Sequence, residues 1–342
     1  MVCAAIGVSL ATPAAAARKH PGEHDVRITV QRMRVLMGTP CTIVAEGIDS
    51  VWTSATVDSA FELIASLDDV MTLWRPGSEL AALDSAQAEV RTQVSPELFA
   101  VIDSALTIAA ETEGAFDPTI EPLSRAWDLR GEGRTPDPLE IADARHSVGW
   151  YMAQIQPAYR TVRFRREHMG FDLDGIGKGY ALDLAIDFLR RRQMKRVLID
   201  FGSDLEGYTD GEAWTIDIGD PDDRNTSAVR LVTRQAGVST SGQSARFFTK
   251  SGGHVDRVID PETGRPVSVG ATVTVVAPSG TRSDALATAF LVMGREKIGE
   301  FLATRPELGV LWLERQGRTL RAWRWNLPTA TAEPNVNIEW AQ

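Results

Sequence analysis

The run Asp172-Leu173-Asp174-Gly175-Ile176-Gly177-Lys178-Gly179 sets three glycines and a lysine ahead of a helical pattern. Free backbone N–H groups at such a helix start, aided by the helix dipole, attract phosphate, and Lys178 adds a fixed positive charge. This is not a Walker A loop, because Gly179 stands where Ser or Thr must follow the lysine, nor is it a dinucleotide-binding fingerprint. The competing reading is a strand-to-helix turn that needs glycine for its geometry alone. Asp284 and Thr288 are four residues apart, so on a helix they share a face. A carboxylate and a hydroxyl so placed can hold an oxygen-preferring cation such as Mg²⁺. Taken alone, Ser283-Asp284 favours a capping role, and a helical Thr can bond back to a carbonyl. In Thr112-Glu113-Gly114-Ala115-Phe116-Asp117-Pro118-Thr119 an aromatic beside a carboxylate in a loop can contact a flavin or adenine, or simply pack a turn. Trp74 to Glu79 and Thr240-Ser241-Gly242 are weaker loops of the same kind.

These residues need elements to position them. Residues 26 to 46 alternate apolar and polar side chains around Met37-Gly38-Thr39-Pro40, the pattern of two strands and a turn. From Val51 to Trp74, apolar Val57, Phe61, Ile64, Leu67 and Met71 recur at helical spacing. Ser95-Pro96 opens a second helix that Gly114 closes. Gly131 to Pro138 reads as a polar loop, followed by a short helix to Val148 and paired strands over Ala153 to Phe164. A short strand from Gly170 then leads through the glycine turn to a helix bearing Leu182, Ile186 and Leu189. Strands are expected at Arg196 to Phe201, Trp214 to Ile218, Ala228 to Thr233, Gly237 to Thr240, Val255 to Ile259, Ala271 to Ala277, Gly309 to Glu314 and Thr319 to Arg324, with a buried helix at Ser283 to Met293. This order predicts an α+β unit, with helices packed on one side of mixed or antiparallel sheets.

Length and charge narrow the function. The 342 residues suffice for one or two folding units, and 46 Asp+Glu against 36 Lys+Arg leave a formal charge of −10. A general phosphate-backbone binder needs a basic surface, so nucleic acid is excluded as an expected partner. An anionic protein handling phosphate wants a cation instead. Cys3 and Cys41 form no zinc or disulfide pattern. Residues 1–17 end in four alanines before Arg18-Lys19 and read as a signal peptide lacking its positive n-region, followed by a linker over 18–25. Export to the periplasm or beyond is the expectation, since the apolar run is shorter than the roughly 20 residues of a membrane anchor.

Seven motifs then combine. In this order and spacing, MGTPCTI, MTLWRPGSELAALD, TEGAFDPTIEPL, DLDGIGKGYALD, VSTSGQSARFF, VIDPETGRPV and SDALATAFLVMG resemble the ApbE-type FAD:protein FMN transferases, over about Val30 to Val310. The resemblance implies a T-fold-related single catalytic unit, two-lobed in outline, over residues 26–327, with a polar tail at 328–342. It implies FAD as substrate, Mg²⁺ as cofactor, and transfer of the FMN half to a Thr or Ser hydroxyl with release of AMP. Such transferases modify flavoprotein subunits of membrane redox complexes, of the Rnf and sodium-pumping quinone reductase type or NosR-like. Carried over residue by residue, it implies FAD contacts at Met37, Trp74 (where the family often has Tyr), Ala115, Phe116, Asp117, Asp172, Lys178 and Val258. It implies metal ligation by Asp284, Thr288 and the carbonyl of Gly175.

Three positions depart from the family pattern. Arg257 stands where a His commonly lies three residues before Asp-Pro, Ser203 replaces a turn glycine, and Gln243-Ser244 replaces an acidic-aromatic pair. Arginine stays protonated and stabilises phosphate charge rather than accepting a proton. Lys178, Arg257 and Asp260 are the residues expected to carry the chemistry, with Asp256 a further acid; His254 lies three residues before Arg257, on the opposite face if the strand is regular. Two alternatives stay open: water as the acceptor, giving an FAD pyrophosphatase, or a flavin-binding protein that has lost catalysis.

Overall fold

The computed structural model describes residues 27–75, 77–223, 226–242, 247–248, 254–255, 257–267, 270–327, 330–334 and 336–341. The signal-peptide and linker expectations, Gln243-Ser244 and Asp256 lie outside them. Nine strands form one sheet whose spatial neighbours follow chain order: β1 (Ile28–Leu36), β2 (Thr39–Gly47), β3 (Arg196–Phe201), β4 (Asp204–Thr209), β5 (Gln235–Gly242), β6 (Ala271–Ala277), β7 (Gly309–Gln316), β8 (Thr319–Trp325) and β9 (Ile338–Trp340). Each neighbouring pair is antiparallel except β8 with β9. What varies is the chain inserted between neighbours. Between β2 and β3 come α1 (Ser50–Met71), α2 (Glu79–Asp84), α3 (Pro96–Glu111), α4 (Glu121–Ala126), α5 (Pro138–Arg145) and α6 (Gly177–Arg191), and between β6 and β7 come α7 (Gly280–Met293) and α8 (Arg295–Leu302).

Local chemistry explains the helix starts. Asp49 accepts from Trp52 N at the head of α1, and Ser95 accepts from Leu98 N with Pro96 at the first turn of α3. Asp137 and Glu140 form a reciprocal capping box on α5. Alternation along the strands then sorts the two faces of the sheet. Cys41, Ile43 and Ala45 of β2, Val197 and Ile199 of β3, and Val273 and Val275 of β6 share one core with Phe61 of α1, Leu182 of α6 and Phe290 of α7. Val44, Leu198, Val238 and Leu311 face the other way, into a second core with Ile216 and Leu231 of a three-stranded sheet, formed by Trp214–Gly219, Ser227–Thr233 and Ala330–Ala332. The α+β reading holds: α1, α6 and α7 pack on one face of the large sheet, and the small sheet covers the other.

Several expectations change. Gly170 to Leu173 is not a strand, because its backbone donors go elsewhere: Phe171 N to the Asp84 side chain (2.9 Å) and Asp172 N to Pro118 O (2.8 Å). The expected strand from Val255 to Ile259 is broken, with His254–Val255 and Ile259–Asp260 as separate two-residue strands, so the regular alternation assumed for His254 and Arg257 does not apply. β4, α4 and α8 are additional elements. The tail expected to be merely polar also pairs: Ala330–Ala332 runs antiparallel to Ser227–Thr233, and β9 lies parallel to β8. No described helix is long and apolar enough to cross a membrane.

One close approach joins the inserts. A Cβ on Gly179 of α6 would collide with the carbonyl of Gly280 and lie 2.7 Å from Asp284 Cβ. Backbone on that side cannot give way as a flexible side chain would. Gly179→Ala is therefore expected to destabilise the fold by about 1–3 kcal/mol, the usual range for overpacking. Urea unfolding checks this, and an unchanged midpoint would mean that α6 and α7 separate freely.

Candidate active site

The glycine loop feeds α6, whose first residues lie against the first turn of α7. α7 starts at Gly280, where Ser279 accepts from Arg282 N, and Asp183 of α6 accepts from Gly280 N (2.7 Å) and Thr281 N (3.0 Å). Ser283-Asp284 is thus not the cap. Asp284 lies a turn inside, 4% exposed, and its Oδ2 accepts from Gly179 N at 2.9 Å. Its other oxygen, Oδ1, has no hydrogen-bond partner among the described residues. One turn further, Thr288 Oγ1 lies 3.4 Å from Ser241 Oγ of β5 and 3.5 Å from where a Cβ on Gly175 would sit. Burial pushes the Asp284 carboxyl up, while Lys178 and the Gly179 N–H pull it down.

Asp284, Thr288 and the Gly175 backbone are therefore neighbours, brought from a helix and a loop more than 100 residues apart in sequence. The donors are a carboxylate with a free oxygen, a hydroxyl and a main-chain carbonyl, with no sulfur or imidazole. That set fits Mg²⁺, which takes few protein oxygens and completes its shell with water and phosphate. Among the described residues no group of three or more His, Cys, Asp or Glu converges, here or elsewhere.

The two cations of the site are held differently. Lys178 Nζ pairs with the buried carboxylate of Asp204 and lies 3.2 Å from Ser203 Oγ, so the residue that replaces a turn glycine contributes a hydrogen-bonding oxygen. Arg257 lies 3.5 Å from Asp174 Oδ2, with both side chains open to water, 40% and 58% exposed. The surrounding protein, then the charge of Asp172, push the Asp174 carboxyl up, against Arg257, Arg130 and Lys178; its exposure means that water relieves part of this. Asp260 turns inward instead: its carboxylate accepts from Glu262 N and Thr263 Oγ1, both at 2.8 Å, closing the hairpin between Ile259–Asp260 and Arg265–Pro266.

Two of the carboxylates expected at FAD shape loops. Asp117 is buried, and its oxygens accept from Thr119 N (2.8 Å), Thr119 Oγ1 (2.6 Å) and Trp150 N (2.9 Å). Asp172 accepts from Asp174 N (3.0 Å) and Arg130 Nη1 (2.9 Å). Arg130 also pairs with buried Glu121, which Arg125 reaches at 3.3 Å. Behind them, Asp84 Oδ1 accepts from Phe171 N while its Oδ2 is buried without a partner. This clamp of Asp84, Glu121, Arg125 and Arg130 was not evident in the sequence. The only signal was an excess of acids flanking the glycine run.

Apolar residues complete the surroundings. Phe116 is buried, 3.3 Å from the Cβ position of Gly175, while Met37, Ala115 and Val258 are half-buried against the main core. Met37 has a left-handed backbone (φ 46°), and its N–H donates to Asp68 Oδ2 at 3.3 Å. Trp74 is 57% exposed, next to Arg75, which lies 3.9 Å from the same Asp68 oxygen. Phe116 is thus beside the metal donors, whereas Met37 and Trp74 belong to a separate rim joined through Asp68.

Comparison with known proteins bears on the family and the fold. A family model described as the ApbE family matches residues 37–312. An FAD:protein FMN transferase of Salmonella typhimurium is 28% identical, over 84% of this chain and 85% of that protein. One from Treponema pallidum is 27% identical over 92% and 89%. Among solved structures, a flavin transferase ApbE from Vibrio cholerae superposes with a TM-score of 0.76 at 25% identity, covering 87% of this chain and 97% of that one. An ApbE protein from Thermotoga maritima shares the fold with a TM-score of 0.76. The likeness spans nearly the whole fold rather than one motif.

The clamp predicts a pH dependence of stability. Burial, opposed by Arg130, raises the Glu121 carboxyl to about 7, and burial raises Asp84 well above its ordinary range. Folded protein then keeps protons that the unfolded chain releases above about pH 4.5, so unfolding free energy should fall as pH rises from about 5 to 7. Asp84→Asn keeps the acceptor for Phe171 N and removes the buried titrating group. It should flatten that slope and stabilise the protein at pH 7 by about 1 kcal/mol. Urea titrations at several pH values test this; an unaltered slope would rule out a proton shared by the clamp.

Proposed function

Since this chain belongs to the ApbE family, we propose that it uses Mg²⁺ to transfer the FMN half of FAD onto a Thr or Ser hydroxyl of an acceptor protein, releasing AMP. The chain is a flavin transferase like the relatives it matches over most of their length. The observation that carries the finer reading is the junction of the glycine loop with α7, where Asp284 Oδ2 binds Gly179 N beside Gly175 and Thr288. When bound there by Asp284, Thr288 and the Gly175 carbonyl, Mg²⁺ supplies charge neutralisation for a pyrophosphate.

The chain's own groups do the rest. Hydroxyl oxygen attacks the phosphorus on the ribityl side of FAD, the bond from that phosphorus to the bridging oxygen breaks, AMP leaves with that oxygen, and the hydroxyl proton passes to water. Phosphoryl transfer of this type depends chiefly on positioning and on stabilising charge over the transferring oxygens. The N–H groups at the start of α6 face that charge, Lys178 adds a cation fixed by Asp204, and Arg257 adds one on the opposing hairpin. Phe116, Ala115, Val258 and the Met37–Trp74 rim offer apolar surface for the isoalloxazine and adenine rings. The N-terminal apolar run supports export, and the family resemblance supports a flavoprotein subunit of a membrane redox complex as acceptor.

Incubation with FAD, Mg²⁺ and an acceptor carrying a suitable threonine should give covalent flavin on the acceptor and equimolar AMP. AMP and FMN without labelling would instead show that water is the acceptor. Asp284→Ala is expected to abolish Mg²⁺-dependent AMP release and Mg²⁺ binding measured by calorimetry; full activity at saturating Mg²⁺ would refute the metal assignment. Arg257→His should maintain or raise transfer if position 257 only needs a group that faces phosphate, whereas a collapse of transfer would give the guanidinium a role of its own.

A further inference from the structure

A trough runs along the outer face of α5, in two sections of about 430 and 300 Å³ that share Ala142 and Arg145. One wall is the hairpin tip, with Glu262 and Arg265; the other continues to His146, Tyr151 and Arg166. Its charge is unlike that of the molecule. In a chain of net charge −10, three arginines line this trough against one carboxylate. Most arginines near the site are paired, as Arg130 is with Glu121 and Asp172, and Arg282 with Glu111. Arg145 and Arg265, both exposed, make no hydrogen bond or ion pair through their guanidinium groups among the described residues. Arg166 donates only to the His146 carbonyl, at 2.7 Å. Tyr151 is 68% exposed beside them.

The trough is also built firmly and connected to the site. Gly264 has φ +69°, and a Cβ there would lie 2.7 Å from Ile141 and 2.9 Å from Arg145, so the hairpin tip is seated on α5. Trp127 Nε1 donates to Gly264 O at 2.9 Å and fastens the tip from the other side. The same hairpin leads back to Val258 and Arg257, with Val267 N bonded to Val258 O at 2.9 Å. Asp260 follows Arg257 by three positions, a reach of roughly 10 Å in extended chain.

We propose that this trough is the docking surface for an acidic, extended segment of the acceptor protein, which holds the acceptor hydroxyl near the cleft. The proposal rests on the transfer reading above. Carboxylates of the segment match the free forks of Arg145 and Arg265, for which planar bidentate pairing is the favoured geometry. Its backbone fits a concave trough, whereas anionic lipid headgroups suit a flat basic face. Charge of this kind acts mainly on association rate and partner choice, which suits an enzyme that must release each modified acceptor.

The test uses the full chain and a short fluorescein-labelled peptide of alternating glutamate and serine, followed by anisotropy. Binding is expected at low salt, and loss at about 1 M salt, where charges are screened beyond about 3 Å. Arg145→Glu/Arg265→Glu should weaken it about tenfold or more, and Arg145→Gln/Arg265→Gln by less, in line with a charge contact. Arg191→Glu/Arg318→Glu, the same charge change at exposed arginines elsewhere, should leave it intact. AMP release from FAD at saturating acceptor should keep its maximal rate in every variant, which separates docking from the transfer reading: if the wild type releases no AMP with acceptor present, that reading falls, while transfer without peptide binding overturns the docking surface alone. Equal weakening by the Arg191/Arg318 variant, or Arg145/Arg265-dependent binding to phosphatidylglycerol vesicles in place of the peptide, would also overturn it.

Discussion

The contact on which the site depends is the meeting of two helix starts at Gly179 and Gly280. Only backbone fits between them, and Asp284 Oδ2 takes the Gly179 N–H at 2.9 Å, so a buried carboxylate of α7 is tied to the first turn of α6. The sheet makes this meeting repeatable. Because neighbouring strands follow chain order, α6 enters β3 and α7 leaves β6 on the same face of a rigid scaffold. The long inserts then bring their loops to one place without any strand crossing another. Asp183, on the turn after Gly179, accepts two N–H groups of α7 and adds a second tie.

Acids are distributed by task in this molecule. Asp117, Asp172 and Asp260 each accept two or more hydrogen bonds from their own surroundings, which fixes a loop whose tip is then free to meet a ligand. Glu206, buried against Asp183 at the head of α7, has its carboxyl raised well above the ordinary range, first by burial and then by that neighbour. Both act against a second charge where Asp183 already caps the helix. An overall charge of −10 thus says little about the site, where Lys178 stands within the glycine loop and Arg257 lies against Asp174 of the same loop.

Legibility in the sequence followed locality. Helical spacing showed α1, α3, α6 and α7, and alternation showed most strands, because each signal lies within one element. The seven motifs marked the residues around the cleft. The clamp was hidden because Asp84, Glu121 and Arg130 lie on separate segments of one long insert, and Asp84 and Glu121 come together at Gly170, where a Cβ would lie 2.8 Å from Glu121 and 3.0 Å from Asp84. Gly170 to Leu173 looked like a strand since its residue types suit one, but its donors had been captured by Asp84 and Pro118, a long-range fact. The short strands of the tail were missed because each is three residues long, too short for alternation to stand out, although Ala330, Ile338 and Trp340 pack against the second core.

The departure at position 257 gains a physical sense from its partner. Lys178 pairs with Asp204, which is 1% exposed, so releasing the lysine would leave a buried carboxylate uncompensated, a change that costs several kcal/mol. Arg257 pairs with Asp174 at 3.5 Å in the open, where such contacts contribute roughly 0–1 kcal/mol. The Arg257–Asp174 contact is thus the more exposed of the two, and a guanidinium fork binds phosphate at two points where a histidine binds at one. An arginine at 257 can offer charge stabilisation rather than proton transfer, because its guanidinium stays protonated.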